Sequence, residues 1–244
     1  MARAMEAARQ GDYPTALDLW EQLSRLGVAR AQNNIGACFA EGIGVEADPE
    51  LAHRWLSLAA EGGDPVGQRN LAALYFKGAG VAQDYERAAA LYRASALQGD
   101  GPAQDMLSWM LLEGEIIPSD ITEAHRWALA AADQGVASAM TRMGMLYHNA
   151  LGVERNPAEA ARWWRQGALR GDADAQAMLG AAFHLGSGVS RDPAAAYEWL
   201  LRGHAGGSGL AAPFLDVVRA TLTAEEAGTV TRQADRPLSR EPTP

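Results

Sequence analysis

Ala31-Gln-Asn-Asn-Ile35-Gly-Ala-Cys-Phe39-Ala-Glu-Gly42-Ile-Gly44-Val45, followed by Asp48-Pro49 and by Ala52, Trp55, Leu56, Ala59 and Ala60 before Gly62-Gly63, reads as two helices joined by a tight loop. Ile35 and Phe39 are four residues apart with the small Gly36 beside them, the spacing of one helical face. Gly42-Ile-Gly44 offers the left-handed backbone that closes a helix. Asp48 is a good acceptor for the orphan amides of a helix start, and Pro49 suits its first turn. The same start recurs at Asn156-Pro157 and Asp192-Pro193.

This unit returns every 36 residues. Gly27, Gly63, Gly99, Gly135, Gly171 and Gly207 keep that step. So do Ile35, Leu71, Leu107, Met143 and Leu179; Phe39, Tyr75, Leu111, Tyr147 and Phe183; and Ala52, Ala88, Ala124, Ala160 and Ala196. A further series is Trp55, Leu91, Trp127, Trp163 and Trp199. Five units therefore run from about residue 28 to 207. One helical hairpin cannot bury its apolar face, but stacked copies can, so the fold class predicted is an all-α solenoid. Small residues at 31, 67, 103, 139 and 175, with Gly36, Gly144 and Gly180, allow close helix approach. The periodic tryptophans are expected in the core, with Trp164 partly exposed and Trp20 repeating the core role before the first unit.

The pattern Ala31-Gln-Asn-Asn-Ile-Gly-Ala-Cys-Phe-Ala-Glu-Gly-Ile-Gly-Val, with Asp48, Ala52, Trp55, Ala59, Ala60 and Gly63 behind it, resembles the Sel1-like repeat, a relative of the tetratricopeptide repeat. The resemblance covers about three quarters of the chain. Gly78-Ala-Gly80-Val81 and Gly186-Ser-Gly188-Val189 keep the repeat's loop, whereas Ile116 replaces one loop glycine and Ala150 another, so those two loops are expected to differ in shape. The resemblance implies a right-handed superhelix that serves as an interaction scaffold or adaptor, commonly in bacteria. Cysteine-rich relatives linked to penicillin hydrolysis carry a disulfide in each repeat. Cys38 is the chain's only cysteine, so that activity is not carried over.

The expected organisation is capping helices over 1–27, five repeats over 28–207, closing helices over 208–232 and a disordered tail over 233–244. Leu210 to Leu222 is expected as one closing helix, and Thr223-Ala-Glu-Glu226 as the capping-box start of a last one.

Composition removes several functions. A 48% hydrophobic fraction excludes wholesale disorder. Lys+Arg 21 against Asp+Glu 30, a formal charge of −9, argues against nucleic-acid binding, which needs a clustered basic excess. Neither a signal-peptide h-region nor a membrane-length apolar run is present. The expected compartment is cytoplasmic, or periplasmic if a leader precedes this sequence. Cys38 reads as a buried, inert thiol. His148 and His184 share one phase in adjacent repeats, roughly 10 Å apart as packed helices are, but lack a third ligand in phase, so no metal or other cofactor is expected. No nucleophile–base pair is visible, and the protein is not read as an enzyme.

In tetratricopeptide-type arrays the first helices line the concave face. Carried over by resemblance, that places Asn33, Arg69, Asp105, Trp109, Met145 and their neighbours inward. The middle of the strip holds Phe76, Trp109, Leu112 and Met145, ringed by Arg69, Lys77, Asp105 and His148, with His184 further on. Aromatic anchors with polar neighbours are what a binding hot spot requires. The function expected is a monomeric, non-enzymatic scaffold that holds a partner protein or peptide in the concave groove. The alternative is an immunity or inhibitor protein that occludes an effector enzyme, steered by its acidic charge.

Overall fold

The computed structural model describes residues 1–238, and among them every regular element is a helix. Two compact units succeed one another along the chain, Met1–Asp120 and a second from Ile121 onward.

In the first unit, α1 (Ala2–Arg9) and α2 (Tyr13–Ser24) precede α3 (Ala29–Glu41) and α4 (Pro49–Glu61), then α5 (Pro65–Lys77), α6 (Tyr85–Leu97) and α7 (Gly101–Glu113). Sequence punctuation sets these bounds. Asp48, Asp64, Asp84 and Asp100 each accept the amide three residues on, and Gly42, Gly78 and Gly114 close α3, α5 and α7 in left-handed backbone. Between α3 and α4 the Asp48 amide donates to the Phe39 carbonyl, and Asp84 does the same to Tyr75 between α5 and α6. The stack is begun by α1 and α2: Trp20 is buried with Ala31, Ile35 and Cys38, and Leu23 packs against that cluster.

In the second unit, α8 (Ile121–Asp133), α9 (Ala137–Asn149), α10 (Pro157–Leu169), α11 (Ala173–Leu185) and α12 (Pro193–Ala205) repeat the scheme. They are followed by α13 (Ala212–Arg219) and α14 (Ala224–Ala234). Asn156, Asp172 and Asp192 cap α10, α11 and α12. The capping box at Thr223 and Glu226 is formed in both directions. The last helix reaches Ala234, so residues 233–234 of the expected tail are helical; residues 239–244 of that tail lie outside the described residues. The closing helix α13 is shorter than the 210–222 expected, because Leu210 and Ala211 belong to the turn before it.

Three expectations change at the level of single residues. The tryptophan row is one residue off the core: Trp55, Trp127, Trp163 and Trp199 are half-buried, whereas Leu56, Tyr92, Ala128, Trp164 and Leu200 are buried. Trp164, expected to be partly exposed, is only 3% exposed. Its row continues the line of Ala52 and Ala59, four before and three after Leu56, which a 3.6-residue turn places over one another. The loop at Ala150 does not differ from its glycine counterparts. Ala150 itself adopts φ 58°, ψ 39° against φ 66°, ψ 34° at Gly42, and Asn156 still donates to the Tyr147 carbonyl. The loop at Ile116 does depart, since the left-handed second position filled by Gly44, Gly80, Gly152 and Gly188 has no counterpart there.

Candidate functional site

Each first helix presents three rows near its open face. The innermost row, Asn33, Arg69, Asp105, Thr141 and Ala177, is taken up by the stack itself. Asn33 is buried, receives a hydrogen bond from Asn70 Nδ2 at 2.9 Å and donates to Asn34. Arg69 grips both Asp100 carboxylate oxygens at 3.0 Å from the start of the next first helix. Asp105 is buried. The Thr141 hydroxyl reaches Asp172 Oδ1 at 2.7 Å, so this row ties one repeat to the helix start of the next.

The next two rows are accessible. In the first unit they bring together three aromatic rings: Phe76 lies edge-on to Trp109, centroids 5.9 Å apart, and edge-on to Tyr85 at 5.2 Å. Leu112 is half-buried on the same helix as Trp109, and Lys77, next in sequence to Phe76, is exposed. Tyr85 was not singled out by sequence reasoning. It opens a second helix, where the other repeats carry Pro49, Ile121, Pro157 and Pro193, so its phase offered no functional signal.

In the second unit Met145 is 39% exposed and Leu185 64% exposed. Between α9, α10, α11 and α13 lies a cleft of about 350 Å³ lined by His148, Trp164, Ala177, Ala181, Leu185, Leu210, Pro213 and Phe214 among others. His148 stacks obliquely on Trp164, centroids 5.4 Å apart, and its Nδ1 is buried with no hydrogen-bond partner. His184 meets Phe214 edge-on at 6.1 Å. Small residues line it at 177 and 181, and Phe214 contributes an aromatic ring to its wall. Phe214 and Leu210 lie beyond the repeats, where no periodicity could flag them.

This arrangement suits apolar side chains. A cleft of this size is at the lower end of ligand pockets, and its walls are almost wholly hydrocarbon. Among the described residues no group of three or more His, Cys, Asp or Glu side chains is placed to hold a metal ion. Cys38 is buried, and that burial pushes its thiol upward, away from the reactive thiolate. No helix among the described residues is long and apolar enough to cross a membrane.

Capped helical hairpins in 36-residue register, with accessible apolar rows on their first helices, define an all-α repeat protein of the solenoid class. The Sel1 repeat model matches residues 29–64, 65–100, 101–136, 137–172 and 173–207, and the chain belongs to the Sel1 repeat family. It is similar to the crystal structure of a Sel1 repeat protein from Oxalobacter formigenes, with 27% identity, a TM-score of 0.79, and 96% of this chain and 98% of that one covered. It also shares the fold of a sel1 repeat protein from Klebsiella pneumoniae subsp. pneumoniae, at 20% identity and a TM-score of 0.53, over 83% of this chain and 99% of that one. Sel1 repeats generally serve as protein-interaction modules in a scaffold family that is generally non-enzymatic.

Proposed function

We propose that this chain is a non-enzymatic scaffold that captures a peptide segment of a partner protein on the accessible rows of its first helices. The Phe76–Trp109 edge and the Leu112 side chain supply one apolar surface, and the cleft beside His148, His184 and Met145 supplies another. The observation that carries the reading is the cleft: its lining is almost wholly hydrocarbon, and it is open to an apolar side chain. Such a site accepts a leucine- or phenylalanine-sized anchor held by apolar contact with Trp164, Leu185, Leu210 and Phe214. Arg69 and Asn33 act behind these rows, as ties of the stack, and Asp105 is buried there.

Panning a random twelve-residue peptide library on the purified chain tests it. The expected winners carry a large apolar anchor, bind at least ten-fold more weakly to Ala181→Trp, which fills the cleft, or to Trp109→Ala, and leave the helical circular dichroism of both variants unchanged. Failure to enrich any sequence, or enrichment indifferent to both substitutions, would remove the reading.

A further inference from the structure

A second cavity, of about 360 Å³, lies wholly in the first unit and does not involve the cleft at His148. Its walls are Leu17, Asp18 and Glu21 of α2, Ile35 and Phe39 of α3, Val45 of the following loop, and Leu51 and Trp55 of α4.

The repeat supplies internal controls for what belongs there. Phe39 is the first of the in-phase residues Phe39, Tyr75, Leu111, Tyr147 and Phe183. Every other aromatic ring of that series meets a basic side chain. Arg87 places its guanidinium carbon 4.6 Å from the Tyr75 centroid, with His53 edge-on to the same ring at 5.4 Å. His125 stands edge-on to Tyr147 at 6.4 Å, and the Arg165 guanidinium lies 5.7 Å from the Phe183 centroid. The positions that supply these groups are 17, 21 and 51 in the first register, where Leu17, Glu21 and Leu51 stand instead. Phe39 is thus the one aromatic ring of the series, among the described residues, with no basic partner. It borders a cavity where its counterparts carry a cation or an imidazole.

The charge at the rim is of the complementary sign. The Asp18 carboxylate is exposed and makes no hydrogen bond or ion pair among the described residues. Glu21 shares its carboxylate with Arg25 at 2.8 Å, a solvent-exposed pair of small worth, and Arg25 does not line the cavity. A planar guanidinium would stack on Phe39 or Trp55 while both carboxylates accept its N–H groups, and its methylenes would lie against Leu17 and Leu51.

We infer that this cavity is the seat of an arginine side chain from a partner protein, which completes in trans the cation–aromatic contact that Arg87 and Arg165 make in cis. This inference stands whether or not the His148 cleft binds peptide. The test uses the full chain labelled with ¹⁵N and the probes acetyl-arginine amide, acetyl-lysine amide and acetyl-citrulline amide, read at the Trp55 indole N–H resonance. A saturable shift with the arginine probe is expected, at least five-fold weaker with acetyl-lysine amide and absent with neutral acetyl-citrulline amide. Asp18→Asn combined with Glu21→Gln should weaken it at least ten-fold. Leu51→Arg, which installs the residue this register carries at position 87, should abolish it while the far-ultraviolet circular dichroism stays that of the parent. An unsaturable response, an equal response to lysine or citrulline, or one that survives Leu51→Arg overturns the inference.

Discussion

Gly144 and Trp164 are matched in size across the α9–α10 hairpin: a methyl group added to Gly144 would stand 2.8 Å from Trp164 Cε2 and closer still to the indole nitrogen. The indole in turn donates to the Thr141 carbonyl at 3.2 Å. Gly36 against Leu56 and Gly180 against Leu200 repeat the pairing. Gly144→Ala should therefore destabilise the chain by about 1–3 kcal/mol, despite alanine's better helix propensity, because overpacking forces the indole or the helices apart. Trp164→Ala alone should cost about 3–5 kcal/mol. In that background Gly144→Ala should become neutral or stabilising, and urea unfolding of the four-protein cycle measures the coupling.

That pairing also shows what the sequence could and could not announce. Helix number, phase and loop positions followed from the Gly27 and Ala52 series, which recur unchanged, and from loop glycines and Asp/Asn-Pro starts that recur in most units, because backbone geometry favours the same residue each time. The buried row Leu56, Tyr92, Ala128, Trp164 and Leu200 is harder to see, because its size varies from alanine to tryptophan. Gly36, Ala72, Ser108, Gly144 and Gly180, in the matching phase of the first helices, vary little and gave half of the relation. The half-buried tryptophans, alike in every unit but one, attracted the core assignment instead. Among the site residues, Phe76, Trp109 and Met145 were legible as accessible by phase. The engagement of Asn33 and Arg69 was not, since it depends on Asn70 and Asp100 arriving from the next repeat. Phe214 belongs to the non-repeating end and left no signal at all.

Ala150 occupies left-handed backbone where the loops at 42, 78, 114 and 186 carry glycine. A residue with a Cβ gives up about 1–2 kcal/mol in that region, part of which glycine returns through its freer unfolded chain. Ala150→Gly should raise stability by about 0.5–1 kcal/mol without moving α9 or α10. A higher urea midpoint at an unchanged slope is the expected result, and a lower midpoint would mean the loop is held by contacts of the alanine methyl group.

His53 and His125 lose affinity for protons on folding. For His53 the main cause is burial, with the Arg87 charge adding to it; for His125 it is burial, and its Nε2 is left without a partner. Both fall below the usual value of 6.5. The unfolded chain therefore binds protons at a pH where the folded one does not, so this contribution to stability is complete above about pH 7 and shrinks as the pH falls through 6.5 toward the lowered folded values. The double variant His53→Gln, His125→Gln should flatten the fall in urea midpoint between pH 7 and pH 5 relative to the parent. Equal slopes would show that the two imidazoles titrate alike in both states.

Arg202 holds the last helix in place. Its guanidinium donates to the Gln233 carbonyl at 2.8 Å and to the Arg236 carbonyl at 2.9 Å, the open end of α14, while Glu198 accepts from the same group at 2.9 Å. The side chain is only 11% exposed, so its stem is held by packing while its fork reaches the exposed carbonyls at the helix end. A cation at a helix C-terminus also meets the negative end of the dipole. Arg202→Ala should leave α9 to α12 folded but lower the cost of opening α14 by about 2 kcal/mol, which speeds its amide exchange roughly 30-fold. Arg202→Lys should recover little, because an ammonium on one stem cannot span two carbonyls and a carboxylate as the planar fork does. Hydrogen exchange read by mass spectrometry over 224–234 decides it: protection unchanged in Arg202→Ala would mean that apolar packing of Ala227 and Val230, both buried, is sufficient to dock the helix.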